Sequence, residues 1–374
     1  DMVFRPGQKG RRIVQRQYPH AYREEAGFVR RLLLLRHNGE LVGCIGVHPM
    51  MLRLGAARLS AGGIGIVGAH PERRGEGIMT RLLDEAIRQM RSAGHAVSVL
   101  GGDRQRYARF GWENAGVRNV YELTARSLGK ATGADRVLRL QDPDAAMCRR
   151  IRRLSGGSAY GVERKLGDIR PLLVRNGKEA WICQEGRRFA YAVAGGAGRT
   201  NRPYTAIHEF GGDAELILAL FRRLMQRSAR GVLSVVAGPN PEEQALLVPV
   251  SAGWSREIDG MTQILDVTRV VEQLRPELVR RATATRVSGS FELHVNCTGG
   301  TWQQATLDLG GSRGRAKVRP YHLRLDQLEL VELLFGSIPI EERFGHHRGI
   351  PAGALHRLAA ILPLPLHIPS LNHI

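Results

Sequence analysis

The chain has 374 residues, enough for two or three domains each with its own core. Hydrophobic residues make up 43% and charged residues 24%, an ordinary globular balance that excludes disordered and fibrous classes. The formal net charge of +20 suits an anionic partner, but the 55 basic residues are nearly all arginine and lie along the whole chain, as in an arginine-biased genome, so charge alone does not make this a nucleic-acid binder.

No apolar run approaches a membrane span, and the leucine run Leu32 to Leu35 is bracketed by Arg31 and Arg36. The start of the sequence lacks the apolar stretch of a signal peptide. Cys44, Cys148, Cys183 and Cys297 are far apart and form no C-x-x-C pair, so a reducing cytoplasm is the expected location and no metal site is expected.

In chain order, only Met2 to Arg5 is available as a first strand, so an initial helix is expected to be reduced or missing. Arg31–Leu35 and Leu41–Val47 read as strands joined by the hairpin turn His37-Asn38-Gly39. Ala61–Ala69 is a glycine-rich apolar strand. A helix follows from about Gly77 to Ala93, with Ile78, Leu82, Ala86, Ile87 and Met90 on one face and Gly94 at the C-cap. Ala96–Leu100 is a buried strand. Further on, Glu179–Gly195 reads as a hairpin and Tyr204–Phe210 as a strand. Ala214–Gln226 reads as an amphipathic helix capped by Asp213, and Val232–Ala237 as a strand stopped by Gly238-Pro239. This second strand–helix–strand run repeats the order of the first without its Arg/Gly loop. After about residue 261 a helix, Val267–Arg281, is expected to kink at Pro276. The segments Ser290–Asn296, Thr301–Leu309 and Ala316–Pro320 alternate as strands, and Asp326 caps a helix to Phe335. The tail from Leu362 to Ile374 is rich in Leu and Pro and carries no formally charged side chain. A disordered tail has the opposite composition, and prolines lower the entropy cost of lying in a groove, so the tail reads as docked.

The chemistry concentrates in Ile66-Val67-Gly68-Ala69-His70-Pro71-Glu72-Arg73-Arg74-Gly75-Glu76-Gly77-Ile78-Met79-Thr80. A strand enters a loop with two arginines and two glycines, and an amphipathic helix begins there. Glycine exposes backbone N–H groups, and the helix N-terminus adds unpaired N–H groups and partial positive charge, a combination suited to a pyrophosphate. An ordinary turn with solvated arginines is the plain alternative. Gly63-x-Gly65-x-x-Gly68 matches the dinucleotide fingerprint in letters only, because its glycines lie within a strand. No Gly-Lys-Ser/Thr follows, which excludes a Walker loop.

Arg74-Gly75-Glu76-Gly77-Ile78-Met79 resembles the Arg/Gln-x-x-Gly-x-Gly/Ala loop of the GNAT superfamily of acyl-CoA N-acyltransferases, with Met79 departing from its last position. Pro71-Glu72 and Tyr107-Ala108-Arg109-Phe110-Gly111-Trp112 fit that superfamily too. The whole chain is similar to the enhanced intracellular survival type. That resemblance implies a mixed α+β fold of three parts: a GNAT domain over 1–126, a degenerate GNAT-like domain over 127–260, and a sterol-carrier-like domain over 261–374 whose tail docks at the active site. It implies acetyl-CoA as co-substrate and transfer to a primary amine, on a small molecule or a protein lysine. The backbones of Val67 and Ala69, with Gly68 between them, would bond the pantetheine arm. Amides of Gly75, Glu76, Gly77, Ile78, Met79 and Thr80 would hold the pyrophosphate with Arg73 or Arg74. Gly102 and Asp103 would line the thioester, and Tyr107 would protonate the leaving thiolate. The strand Ala61–Ala69 contains no carboxylate base, and in the resembling branch the chain's terminal carboxylate, here on Ile374, serves instead. His70 is the competing base, and reads more simply as a turn residue before Pro71. Glu24, Glu25, Asp103 and Glu113 could supply local negative charge for a cationic acceptor. The resemblance also implies a homo-oligomer, with a hexamer built from trimers as one form. A non-catalytic acyl-CoA or lipid-binding regulator is the alternative function.

Overall fold

The computed structural model describes residues 13–23, 25–129, 136–175, 177–197, 202–228, 231–310 and 319–374. Met2 to Arg5, Glu24 and most of Ala316–Pro320 lie outside them. The fold is mixed α/β. In chain order the strands are β1 Leu32–His37, β2 Glu40–Leu54, β3 Ala57–Ala69, β4 Val97–Leu100, β5 Glu113–Thr124, β6 Val137–Leu140, β7 Tyr160–Val162, β8 Lys178–Glu185, β9 Arg188–Ala197, β10 Arg202–Gly212, β11 Val232–Ala237, β12 Gly253–Ile264, β13 Ser290–Cys297, β14 Thr301–Asp308 and β15 Tyr321–Asp326. A 12-stranded sheet runs in the order β1-β2-β3-β4-β12-β5-β11-β10-β9-β8-β6, with β7 on the far half of β2, and the last three strands form a separate sheet, β14-β13-β15.

The hairpin closes as its turn chemistry predicts, with Asn38 at φ 50° and Gly39 at φ 82°. β2 then runs well past Val47 to Leu54, because its far half finds partners in β3 and β7. The helix Ile78–Ser92 buries Ile78, Leu82, Leu83, Ala86 and Met90 against β2 and β3. Each of the larger ones, Ile78, Leu82, Leu83 and Met90, contributes about 1.5–3 kcal/mol on burial, which stabilises the helix where the glycine-rich strand has little side-chain bulk to offer. On the opposite face, Leu59, Ala61, Val97 and Val99 pack against Val270, Val271, Leu274 and Leu278 of a helix spanning Val267–Thr285. That helix continues past Pro276 to Thr285.

β12 inserts between β4 and β5, antiparallel to both, so a strand from residue 253 onward completes the sheet begun by the first 126 residues. The middle of the chain repeats the first unit's geometry. β3 pairs in parallel with β4 through Ala61, Gly62 and Gly63, and β10 pairs in parallel with β11 through Thr205, Ala206 and Ile207. Each pair is joined by a crossover helix, Ile78–Ser92 and Ala214–Met225 respectively. In the small sheet, the third strand is Tyr321–Asp326, just beyond the Ala316–Pro320 segment read from sequence. Asp326 caps Gln327–Phe335 through a reciprocal capping box with Glu329.

Candidate active site

β3 and β4 part after Gly63, and β4 stops at Leu100 while β3 continues to Ala69. On the side facing β4, the backbone from Ile64 to Ala69 has no strand partner among the described residues. On the β2 side, Gly65 faces Gly46 and Gly68 faces Cys44, so Ile66 and Val67 together oppose Ile45 in a bulge. Ile66 sits at φ 44°, a left-handed conformation that costs a β-branched residue free energy and concentrates at functional sites. Past the bulge, the side of Val67 to Ala69 that faces away from β2 has no strand partner among the described residues, so an extended ligand could pair with it as a strand would.

The gap opens onto the loop. Gly75 and Gly77 have φ of 88° and 74°, and a methyl on either would meet open space, so conformation rather than crowding requires glycine there. Gly77 is the N-cap of Ile78–Ser92 and no side chain caps it. The first-turn N–H groups of Ile78, Met79 and Thr80 therefore keep their positive end for a ligand. Arg73 pairs with Glu76 at 3.2 Å, while Arg74 is exposed with no ion pair among the described residues. Arg109 reaches Thr80 Oγ1 at 3.4 Å and adds a further cation.

Beyond β4, Asp103 caps the short helix Arg104–Tyr107 by accepting from Gln105 N at 3.0 Å. Tyr107 is 8% exposed, meets Trp112 edge to face at 6.3 Å, and its hydroxyl makes no hydrogen bond among the described residues. A methyl on Gly102 would collide with the Tyr107 ring, so this glycine makes room for the tyrosine. Glu113 is committed elsewhere, buried and gripped by Arg104 at 2.6 Å through both carboxylate oxygens, and supplies no free acidic charge to the site.

The tail crosses the molecule to reach the same gap. Leu362, Leu364 and Leu366 are buried, and Val117 N donates to Leu366 O at 2.9 Å. Buried Asp259 holds His367 Nδ1 at 3.1 Å and accepts from Ile368 N at 2.6 Å. Burial opposes the charge on His367, and Asp259 more than offsets it, raising the imidazole above its ordinary value. Arg175 donates to Leu371 O at 2.9 Å, and Arg164 donates through Nε to Asn372 Oδ1 at 2.9 Å. The chain ends against β3: a methyl on Gly63 would lie 3.0 Å from Ile374 Cδ1, and one on Gly65 3.5 Å from its Cβ. The last residue thus sits where β3 and β4 separate. His70 lies at the far end of β3, its N–H bonded to Val42 O at 2.7 Å and its carbonyl accepting from Arg73 N.

Tyr22 and His48, to which the sequence did not point, lie beside Ile374. Tyr22 and His48 are 7% and 4% exposed and stack edge to face at 4.7 Å, with His20 nearby. The Tyr22 hydroxyl and all four ring nitrogens of His20 and His48 lack hydrogen-bond partners among the described residues. Burial lowers His20 to about 3 and His48 to about 4, so both imidazoles are neutral at pH 7. Gly46 and Gly65 admit the tyrosine hydroxyl, and those glycines were the only trace of this cluster in the sequence.

A family model described as an acetyltransferase (GNAT) domain matches residues 7–115. No curated protein matches the sequence. Among solved structures, a GCN5-related N-acetyltransferase from Kribbella flavida aligns at 17% identity over 95% of this chain and 96% of its own, with a TM-score of 0.66. A GCN5-related N-acetyltransferase from Anabaena variabilis aligns at 15% identity over 97% and 96%, also at 0.66. Eis1 from Mycobacterium abscessus aligns at 16% identity over 92% and 90%, at 0.59. At these identities the likeness shows a shared fold across nearly the whole chain. No described helix is long and apolar enough to cross a membrane.

Proposed function

We propose, from the premise that residues 7–115 are a GNAT acetyltransferase domain, that this acyltransferase moves an acetyl group from acetyl-CoA to a primary amine by direct attack. The site suits that co-substrate. Val67 and Ala69 offer backbone groups to the pantetheine arm, the amides from Gly75 to Thr80 with Arg73 and Arg74 to the pyrophosphate, and Gly102 and Asp103 flank the thioester. The amine nitrogen bonds to the carbonyl carbon as the carbon–sulfur bond breaks. The thiolate takes its proton from Tyr107, and the amine's proton passes to the terminal carboxylate of Ile374. The observation that carries this reading is the seat of Ile374 on Gly63 and Gly65, where β3 and β4 part, on a strand without any carboxylate side chain.

The test is a C-terminal tag or deletion of Asn372–Ile374. Turnover falls about 10²-fold or more while acetyl-CoA affinity holds, and Ile374→Leu stays near wild type because the carboxylate stays in place. A tagged enzyme with full kcat would move the base elsewhere, to His48 or His70. The sterol-carrier-like reading of residues 261–374, the cytoplasmic location and a homo-oligomer, including a hexamer, belong to the same proposal. Light scattering that gives a monomer would remove the oligomer from it.

A further inference from the structure

The middle unit repeats the parting of strands that makes the first site, and the gap is open there too. β10 leaves β11 after Ile207, slips register against β9 at His208, and runs on to Gly212. Between the separated ends lies a cavity of about 440 Å³, within the size range of small-molecule sites. Its chemistry differs from the first. The helix Ala214–Met225 opens on Asp213, whose carboxylate accepts from Leu216 N and is held by Arg188 through both oxygens. A carboxylate already occupying that N-terminus excludes the phosphates that the bare Gly77 terminus can take.

Of the charged groups lining the cavity, Arg53, Arg164 and Glu209 are already partnered, whereas Arg153 is exposed at its edge with no ion pair among the described residues. Arg164 pairs with Glu209 through two nitrogens, at 2.8 and 2.6 Å, and Tyr191 donates to the same carboxylate at 2.9 Å. Arg53 donates to the carbonyls of Ser155 and Gly156. Glu243 has no arginine or lysine ion-pair partner among the described residues; the Asn240 amide donates to it at 3.2 Å, the Gly238 backbone donates as well, and His367 is the cationic group nearby. Burial raises its carboxyl to about 7, against the nearby His367 and Asn240, which lower it. Glu242 sits beside it on the same helix, and apolar walls come from Ile217, Val236 and Leu246. His367, Pro369 and Ser370 of the tail close the remaining side, with Ser370 Oγ 3.0 Å from His208 Nδ1.

We propose that this second cleft binds a small organic cation, a primary amine with an apolar body, whose ammonium meets Glu243 and Asn240 and whose body lies against the tail. His367 is already held by Asp259, so a bound ammonium would give Glu243 a counter-charge of its own, and the apolar walls take the carbon chain. The tail that walls this cleft ends four residues later on Gly63 and Gly65 of the first, so an occupant of the second would contact the element that carries Ile374.

The experiment is hydrogen exchange followed by mass spectrometry on the full chain, with putrescine as probe and 1,4-butanediol as its uncharged counterpart at matched ionic strength. Putrescine is expected to slow exchange at residues 208–212 and 367–370, butanediol is not, and Glu243→Gln removes the effect. Leu246→Trp, which fills the cavity, should remove it as well and guards against a folding defect in the first variant. Equal protection by butanediol, or protection that survives both variants, overturns the proposal. Protection confined to residues 63–69 places the amine only in the first cleft; that result sinks the second site and leaves the acetyl-transfer reading intact.

Discussion

Tyr107 is buried against Trp112 and stands over Gly102, and its hydroxyl has no hydrogen-bond partner among the described residues, a geometry that serves a proton donor and a packing residue equally well. Tyr107→Phe separates the two roles because it keeps the ring. It is expected to lower kcat by about 10²–10⁴-fold with little change in acetyl-CoA affinity, and full activity would return the ring to packing alone. Glu277 has a structural role. Its side chain is fully buried, accepts from Ala56 N at 2.9 Å, and holds Arg280 and Arg281, tying the β2–β3 turn to the helix Val267–Thr285. Burial works against its charge, but these donors outweigh it and hold the carboxyl at about 2. A folded-state value below the unfolded one contributes stability that is complete above about pH 4.3 and is lost as pH falls toward 2. Glu277→Gln should therefore flatten the acid limb of the stability curve and cost about 1–3 kcal/mol at pH 7 in urea unfolding. An unchanged acid limb would show that other carboxylates govern it.

At the scale of elements, the same strand–helix–strand unit occurs twice with opposite helix termini. Gly77 leaves the first open, and Asp213 seals the second. Phosphate binding should therefore belong to the first helix alone. Arg74→Glu reverses one charge beside that terminus and is expected to weaken coenzyme A about tenfold by calorimetry, an effect of ~1–2 kcal/mol that shrinks as salt rises. Arg188→Glu, beside the second helix, should leave that affinity unchanged. Equal loss in both variants would argue against a specific anion site at Gly77.

Across the whole molecule, the parts recognisable along the sequence are not separable bodies. β12 fills the slot between β4 and β5, and the tail threads from the small sheet to β3. A fragment of residues 1–126 exposes the edges of both β4 and β5. It is expected to be unfolded or aggregated by circular dichroism and light scattering, whereas a fragment extended through residue 264 regains the strand. A well-folded, monomeric 1–126 fragment would contradict this account of the sheet.

Local chemistry determined what was legible in the sequence. Asn38-Gly39 specified the hairpin turn, the apolar spacing from Ile78 to Met90 specified a helix, and Asp213 and Asp326 specified caps, because each depends on residues within a few positions of one another. The Arg/Gly loop could be read as an anion site for the same reason, and the uncharged Leu/Pro tail as a docked segment. Tertiary structure alone decided the rest. Nothing near residue 253 announces that β12 will lie against residues 97–100 and 113–122, since pairing over such separations is chosen by the whole sheet. The extension of β2 past Val47 and the passage of the helix through Pro276 are tertiary outcomes, in which packing outweighs a local break. Tyr22 and His48 meet because Gly46 and Gly65 on neighbouring strands leave space for the tyrosine hydroxyl and the His48 ring. The seat of Ile374 depends on Asp259, Arg164 and Arg175, more than a hundred residues away, which hold the tail in place.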